Sequence, residues 1–219
     1  MKTVVVCMLV LAGMSGAFAQ SGRFIEVQGT VEIQNAGSAG WKAAAPGDSI
    51  EKNTVISTGF KSTALVALGD SRISIRPLTR LTLEELVQRN GAEEVNLSLR
   101  TGRIRAEVTP PAGLRSDFTV RSPAATASVR GTVFTFDTIH LRVDNGRVLL
   151  EGADRQMMYV DSGQRSYVDE SAQRVVAPFA AEAALLRPVL AELAATGSDT
   201  ASDGPAVSSS VTINIKAEW

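Results

Sequence analysis

The chain has 219 residues, with 22 Lys and Arg set against 23 Asp and Glu for a formal net charge of −1; 44% of it is hydrophobic and 21% charged. These values fit one soluble globular domain of ordinary size, or one domain and a tail. The near-neutral charge and the lack of any Lys/Arg run leave no global field to draw nucleic acid or anionic lipid.

The first segment, "MKTVVVCMLVLAGMSGAFAQ", reads in the order of a secretory signal peptide: Lys2, an apolar run from Val4 to Ala12, then Ala17-Phe18-Ala19. Cleavage is expected after Ala19, giving a signal peptide over residues 1–19, with Gln20 as the neighbouring alternative. The apolar run is short of the roughly 20 residues that a membrane span needs. An uncleaved anchor is the other reading. Cys7 lies inside the run and leaves with it. The mature chain then has no disulfide, thiolate metal site or cysteine nucleophile. The expected location is the periplasm or the outside of the cell, with outer-membrane association open, and no membrane span after cleavage.

From residue 23 to 176 short alternating runs follow one another. "FIEVQGTVEIQ" alternates Ile25, Val27, Val31 and Ile33 against Glu26, Glu32 and Gln34, so one face is expected to be buried. Gly29 marks a bend or bulge. Turn compositions at residues 35–40 and 45–49 flank Trp41. Asn90-Gly91 predicts a hairpin joining strands over 81–88 and 94–100, and Asn145-Gly146 predicts a second one between Leu141/Val143 and Val148/Leu150. About twelve strands in all predict an all-β fold of antiparallel strands, as a sandwich or a short irregular β-solenoid. A loose echo, with glycine ahead of a strand at Gly29, Gly102, Gly146 and Gly163, reads as recurrent hairpin chemistry, not as a fixed-period repeat, and a few coils of an irregular β-helix would leave the same trace.

Composition shifts at Ala177. Residues 177–196 are rich in Ala and Leu and predict one C-terminal helix packed on the domain, with Pro178 in its first turn and a kink at Pro188. Residues 197–210 read as a flexible linker. Residues 211–219, "VTINIKAEW", alternate again and predict a terminal β-strand. A lone strand needs a partner, in its own sheet or in another protein. Val211, Ile213, Ile215 and Trp219 are its candidate partner contacts.

The chemical inventory is thin. His140, the one histidine, falls inside a predicted strand on the face opposite Leu141 and Val143. Isolated carboxylates at Asp70 and Asp144 sit in turns without the spaced ligands of a calcium loop. Glu84/Glu85 and Glu93/Glu94 flank the first hairpin as a charged wet face. No phosphate-binding glycine motif and no nucleophile elbow occurs. No catalytic residue, metal or cofactor is expected.

The stretch "VRSPAATASVRGTVFTF" interrupts a strand with Arg130, Gly131 and Thr132. Gly131 is expected to bend the backbone, Phe134 and Phe136 to enter the core, and Arg130 to be paired with a carboxylate or several carbonyls. On that reading Arg130→Ala destabilises more than Arg121→Ala.

The succession of Val120-Arg121-Ser122-Pro123-Ala124, Val129-Arg130-Gly131-Thr132-Val133-Phe134 and Val143-Asp144-Asn145-Gly146-Arg147-Val148 resembles the FecR domain, over roughly residues 23 to 169. The resemblance makes Pro123, Arg130, Gly131, Thr132, Phe134 and Gly146 family motif positions with a structural role. Type members of that family are periplasmic sensors. They take a signal from an outer-membrane transporter and pass it through one membrane helix to a segment that controls a sigma factor. This chain resembles a free-standing secreted member without that cytoplasmic segment. The resemblance implies an exported, non-enzymatic binding or scaffolding module of the envelope, acting through an envelope protein and open to a role in signalling. Two other readings stand beside it: an envelope hydrolase or carbohydrate-acting protein with His140 beside a serine or an acidic pair in a cleft, and a structural envelope protein. With aromatics at 5%, few rings are available for a sugar platform.

Overall fold

The structure is a computed structural model that describes residues 21–178 apart from 90, 170 and 172. The expected signal peptide, the main part of the expected helix, the linker and the terminal strand lie outside the described residues.

The described chain lays strands alternately into two sheets, here I and II. β1 (Gly22–Gln28) enters sheet I, β2 (Val31–Gln34) and β3 (Lys42–Ala43) enter sheet II, and β4 (Ser49–Ile50) returns to sheet I. β5 (Val55–Thr58) joins sheet II, and β6 (Thr63–Leu68) and β7 (Ser71–Ile75) join sheet I. β8 (Arg80–Arg89) and β9 (Ala92–Thr101) follow in sheet II, and β10 (Arg103–Glu107) in sheet I. β11 (Arg115–Arg121) and β12 (Ala125–Val129) belong to sheet II, and β13 (Val133–Asp137) and β14 (His140–Asn145) to sheet I. β15 (Arg147–Gly152) and β16 (Met157–Asp161) close sheet II, while β17 (Arg165–Asp169) and β18 (Arg174–Val176) close sheet I.

Sheet I runs β18-β17-β14-β13-β10-β7-β6-β1-β4 and sheet II runs β16-β15-β12-β11-β9-β8-β5-β2-β3. Both orders advance the same way along the chain. The fold is therefore a sandwich in its layers and solenoid-like in its path, and the two expected architectures meet. β9 and β11 pair in parallel, with Glu93 opposite Ser116. Parallel neighbours need a crossover. Here β10, lying in the other sheet, supplies it.

The alternation seen in the sequence fills one core. Ile73, Ile75, Ile104, Phe134 and Phe136 from sheet I and Leu97, Leu99, Phe118, Val120 and Leu150 from sheet II belong to a single buried cluster. Phe118 and Phe134 meet edge to face across it, with ring centroids 6.4 Å apart. Among the described strands burial is strictly alternate along β6, β9 and β12 up to their ends. That is the signature of strands with one face in a core.

The first strand differs from expectation. A bulge between Phe24 and Glu26 shifts the register against β6. Phe24 therefore enters the core and Ile25 turns out to solvent, 44% exposed. A bulge places two residues opposite one, so the inward face changes hands within the strand.

The two Asn-Gly turns also separate. At Asn90-Gly91, β8 and β9 pair with Arg89 opposite Ala92, as the sequence predicts. Asn145-Gly146 is no hairpin. β14 pairs with β13 and β17 in sheet I, while β15 pairs with β12 and β16 in sheet II. The turn carries the chain from one sheet to the other. The same holds at Gly29, Gly102 and Gly163, which link β1 to β2, β9 to β10 and β16 to β17. The glycine echo marks corners between sheets, not hairpins.

Hydroxyl side chains hold these corners. Thr58 is buried, and its hydroxyl donates to Arg76 O at 2.7 Å and accepts from Thr79 N at 2.9 Å. The buried Thr79 hydroxyl donates to Arg103 O at 3.2 Å and accepts from Arg103 N at 3.0 Å. Ser62 Oγ accepts from Thr30 N at 2.8 Å. Where the chain leaves a sheet its ladder bonds stop, and these hydroxyls satisfy the freed peptide groups.

Candidate functional site: corner, outer faces and edge

Five of the six family motif positions, Arg130, Gly131, Thr132, Phe134 and Gly146, converge on one corner, between β12 and β13. Thr132 is 3% exposed, and its hydroxyl donates to Arg147 O at 3.1 Å. Its backbone exchanges bonds with Val108, at 3.0 Å and 3.3 Å. Gly146 has φ +86°, and a Cβ there would stand 2.8 Å from Gly131 O. A Cβ on Gly131 would meet the Pro110 ring at 3.4 Å. Arg130-Gly131-Thr132 and Asn145-Gly146-Arg147, distant in sequence, thus pack backbone to backbone. Phe134 reaches from this corner to Phe118.

Pro123 is exposed in the turn between β11 and β12. The residue that ties this turn is Ser122, whose hydroxyl donates to Thr138 O at 2.6 Å and accepts from Ala125 N at 3.0 Å. A Ser-Pro pair is a turn signal, and the serine was its informative half.

Arg130 has the expected carboxylate partner but not a buried place. Its Nε lies 3.6 Å from Asp117 Oδ1, and its side chain is 80% exposed. Arg121 is 60% exposed and stands 3.8 Å from Glu84. The two arginines are equivalent surface pairs. The inward place beside Gly131 belongs to Thr132, because the strand alternation restarts there.

Of the first hairpin's carboxylates, Glu85 and Glu94 meet across a shared Arg89. Glu85 pairs with Arg89 and Lys52, and Glu94 with Arg89. Glu93 points the other way and is 1% exposed. Its Oε2 has no hydrogen-bond partner, and neither does Ser116 Oγ on the adjacent strand. Burial, and then the charge of Asp70, push the Glu93 carboxyl above its ordinary range. Among the described residues no group of three metal-ligating side chains forms.

His140 stands on the outer face of sheet I with its side chain 62% exposed. Its ring Nδ1 lies 3.3 Å from Asp137 Oδ1, and Tyr167 packs beside it at 5.8 Å between centroids. Asp137 Oδ1 also accepts from His140 N at 2.7 Å and Ile139 N at 3.0 Å, and Oδ2 accepts from Arg103 at 3.2 Å. Burial alone would raise the Asp137 carboxyl; these donors outweigh it and hold the group below its ordinary range. An open depression of about 720 Å³ is lined here by Arg76, Arg103, Thr135, Asp137, Thr138 and His140, together with backbone, Pro77 and Ile139. No serine borders it. The serine beside His140 that the hydrolase reading requires is therefore not in this depression.

Sheet II presents a different feature at its end. β16 is the terminal strand of the sheet among the described residues. Gly152 N donates to Gln156 O at 3.0 Å, and the register with β15 stays constant to Arg147 opposite Asp161. That phasing directs the amides of Met157 and Tyr159 away from β15. Their side chains are 60% and 59% exposed. Arg147 lies over the Tyr159 ring at 5.4 Å and bonds Asp161 at 2.5 Å. Long exposed edges with large apolar side chains are templates for added strands.

No curated protein matches the chain. Two crystal structures of a candidate anti-sigma factor from Parabacteroides distasonis ATCC 8503, at 2.50 and 1.65 Å resolution, are similar at 16% and 17% identity, each with a TM-score of 0.46. Each match covers 56% of this chain and 57% of that one. Residues 54–153, from the start of β5 to the turn after β15, match the family described as FecR protein. That stretch holds the whole signature corner, and over it the chain is similar to the FecR family.

Proposed function

We propose that the chain is an exported, non-enzymatic FecR-type module that works by protein–protein contact in the cell envelope, in a signalling role. The edge of β16 carries this reading: two outward amides flanked by exposed Met157 and Tyr159 form a place where a partner strand can add to sheet II. The Thr132 hydroxyl and the close approach of Gly131 and Gly146 hold the signature corner together, so Gly131, Thr132, Phe134 and Gly146 act in the fold, while Pro123 and Arg130 stand at the surface. Val211, Ile213, Ile215 and Trp219 offer a second strand, donated to an envelope protein through the alternation of residues 211–219. The chain's partner on this reading is a protein, with no nucleic acid and no cofactor.

The test is affinity capture from envelope extracts with three forms: the parent, a form lacking residues 211–219, and Tyr159→Pro. Proline at 159 removes an amide that makes no bond to β15, so the sheet keeps its ladder. A specific protein retained by the parent and lost with Tyr159→Pro or with the truncation is the expected result. Retention of no protein by the parent, or equal retention by all three forms, would overturn the reading.

A further inference from the structure

The outer face of sheet I carries two cross-strand rows that the partner reading leaves unused. The first runs Tyr167, His140, Asp137, Arg103, Arg76 over β17, β14, β13, β10 and the end of β7. The second runs Arg165, Arg142, Thr135, Arg105, Ser74 over the same strands. Five arginines thus face outward with two nearby aspartates, Asp137 and Asp144.

Those aspartates hold the arginines in place. Asp144 accepts from Arg142 Nε at 2.9 Å and from Arg105 Nη1, so two guanidiniums two strands apart are oriented by one carboxylate. Asp137 binds a single nitrogen of Arg103, at 3.2 Å, and takes the Nδ1 side of His140. Each arginine therefore keeps further N–H groups free. Arg76 makes no ion pair among the described residues and borders the same depression. Between the cations lie Thr135 and Thr138, small enough to leave the hollow open and each with a hydroxyl.

We propose that this depression binds a phosphate group of a ligand. Forked guanidiniums match phosphate oxygens bidentately, and fixed orientation lowers the entropy lost on binding. Arg76 and Arg103 supply the charge, His140 and the two threonines supply further donors, and Arg105 and Arg142 supply the positive rim. Asp137 and Asp144 are positioning residues, because their oxygens are already taken.

The experiment is an NMR titration of the full chain with pyrophosphate at physiological ionic strength. The expected result is saturable shifts at Thr135, Thr138 and His140, with affinity falling at least tenfold in Arg76→Gln/Arg103→Gln at an unchanged melting temperature. Arg76→Gln alone, which removes no ion pair, gives the same direction if the double variant melts lower. Sedimentation with phosphatidylcholine vesicles, with and without phosphatidic acid, identifies the source. Binding that depends on phosphatidic acid and is lost in the variant assigns the phosphate to a lipid headgroup. Pyrophosphate binding without vesicle binding assigns it to a soluble phosphoester. No shifts, shifts that survive both substitutions, or competition by hexaglutamate at concentrations equal to or below those of pyrophosphate would each sink the proposal, the last by making the face a dock for acidic peptide.

Discussion

Glu93 is the residue where local sequence and tertiary environment disagree most. It sits next to Glu94 in a charged hairpin, yet alternation turns it inward, and its Oε2 meets no donor. An unpartnered buried carboxyl weakens a fold, and apolar replacement of similar volume is often stabilising. Glu93→Met is expected to raise stability by about 1–3 kcal/mol at neutral pH, read by urea denaturation. The pH dependence has a definite sign. The folded-state carboxyl lies above the ordinary 4.5, so its favourable share is complete below 4.5 and is lost as pH rises through the raised folded value. The gap between variant and parent should widen with pH across that window; a constant gap would refute the assignment. At the surface, Arg130→Ala and Arg121→Ala should each change stability by less than about 0.5 kcal/mol, since both pairs are solvent-exposed. Melting curves that separate the two variants clearly would show a role for Arg130 that its exposed geometry does not supply.

At the scale of elements, two turns with the same dipeptide behave differently. Gly91 has φ +71° with open space where a Cβ would go, while Gly146 has φ +86° and a backbone oxygen 2.8 Å away. Gly91→Ala is expected to cost about 1 kcal/mol of backbone strain. Gly146→Ala adds a clash at the signature corner and should cost about 3 kcal/mol or more, because neither backbone can yield without moving a sheet. Equal midpoints in denaturant for the two variants would contradict this. Asn-Gly reports a tight turn with positive φ. Whether the strands on either side pair with each other is decided by which strands flank each of them, here β13 and β17 for β14, and β12 and β16 for β15. The bulge at Ile25 has the same origin: β6, far along the chain, sets the register that turns Phe24 inward. His140 was legible as an outward strand residue from alternation alone. Its setting beside Arg103, Thr135 and Arg76 was not, because those residues come from two other strands and the segment after a third.

At the scale of the molecule, one core ties two nine-stranded sheets together. Phe118 and Phe134, both 0% exposed, are the named contact between them. Each single change to Ala should cost about 3–5 kcal/mol. The double change should cost less than the sum, because each single variant already removes the shared edge-to-face contact. Strict additivity in that cycle would mean that the sheets are held by the corners and not by this pair. The sequence by itself determined the all-β class, the inward faces of most strands, the Asn90-Gly91 hairpin and the FecR motifs, because alternation and turn chemistry act between residues a few positions apart. Only the tertiary structure decided that the glycine echo marks corners, that Thr132 and not Arg130 is the buried polar member of its motif, and that five arginines share one face. Those facts depend on which strands become neighbours, and neighbours here are set by one core filled from residues up to a hundred or more positions apart.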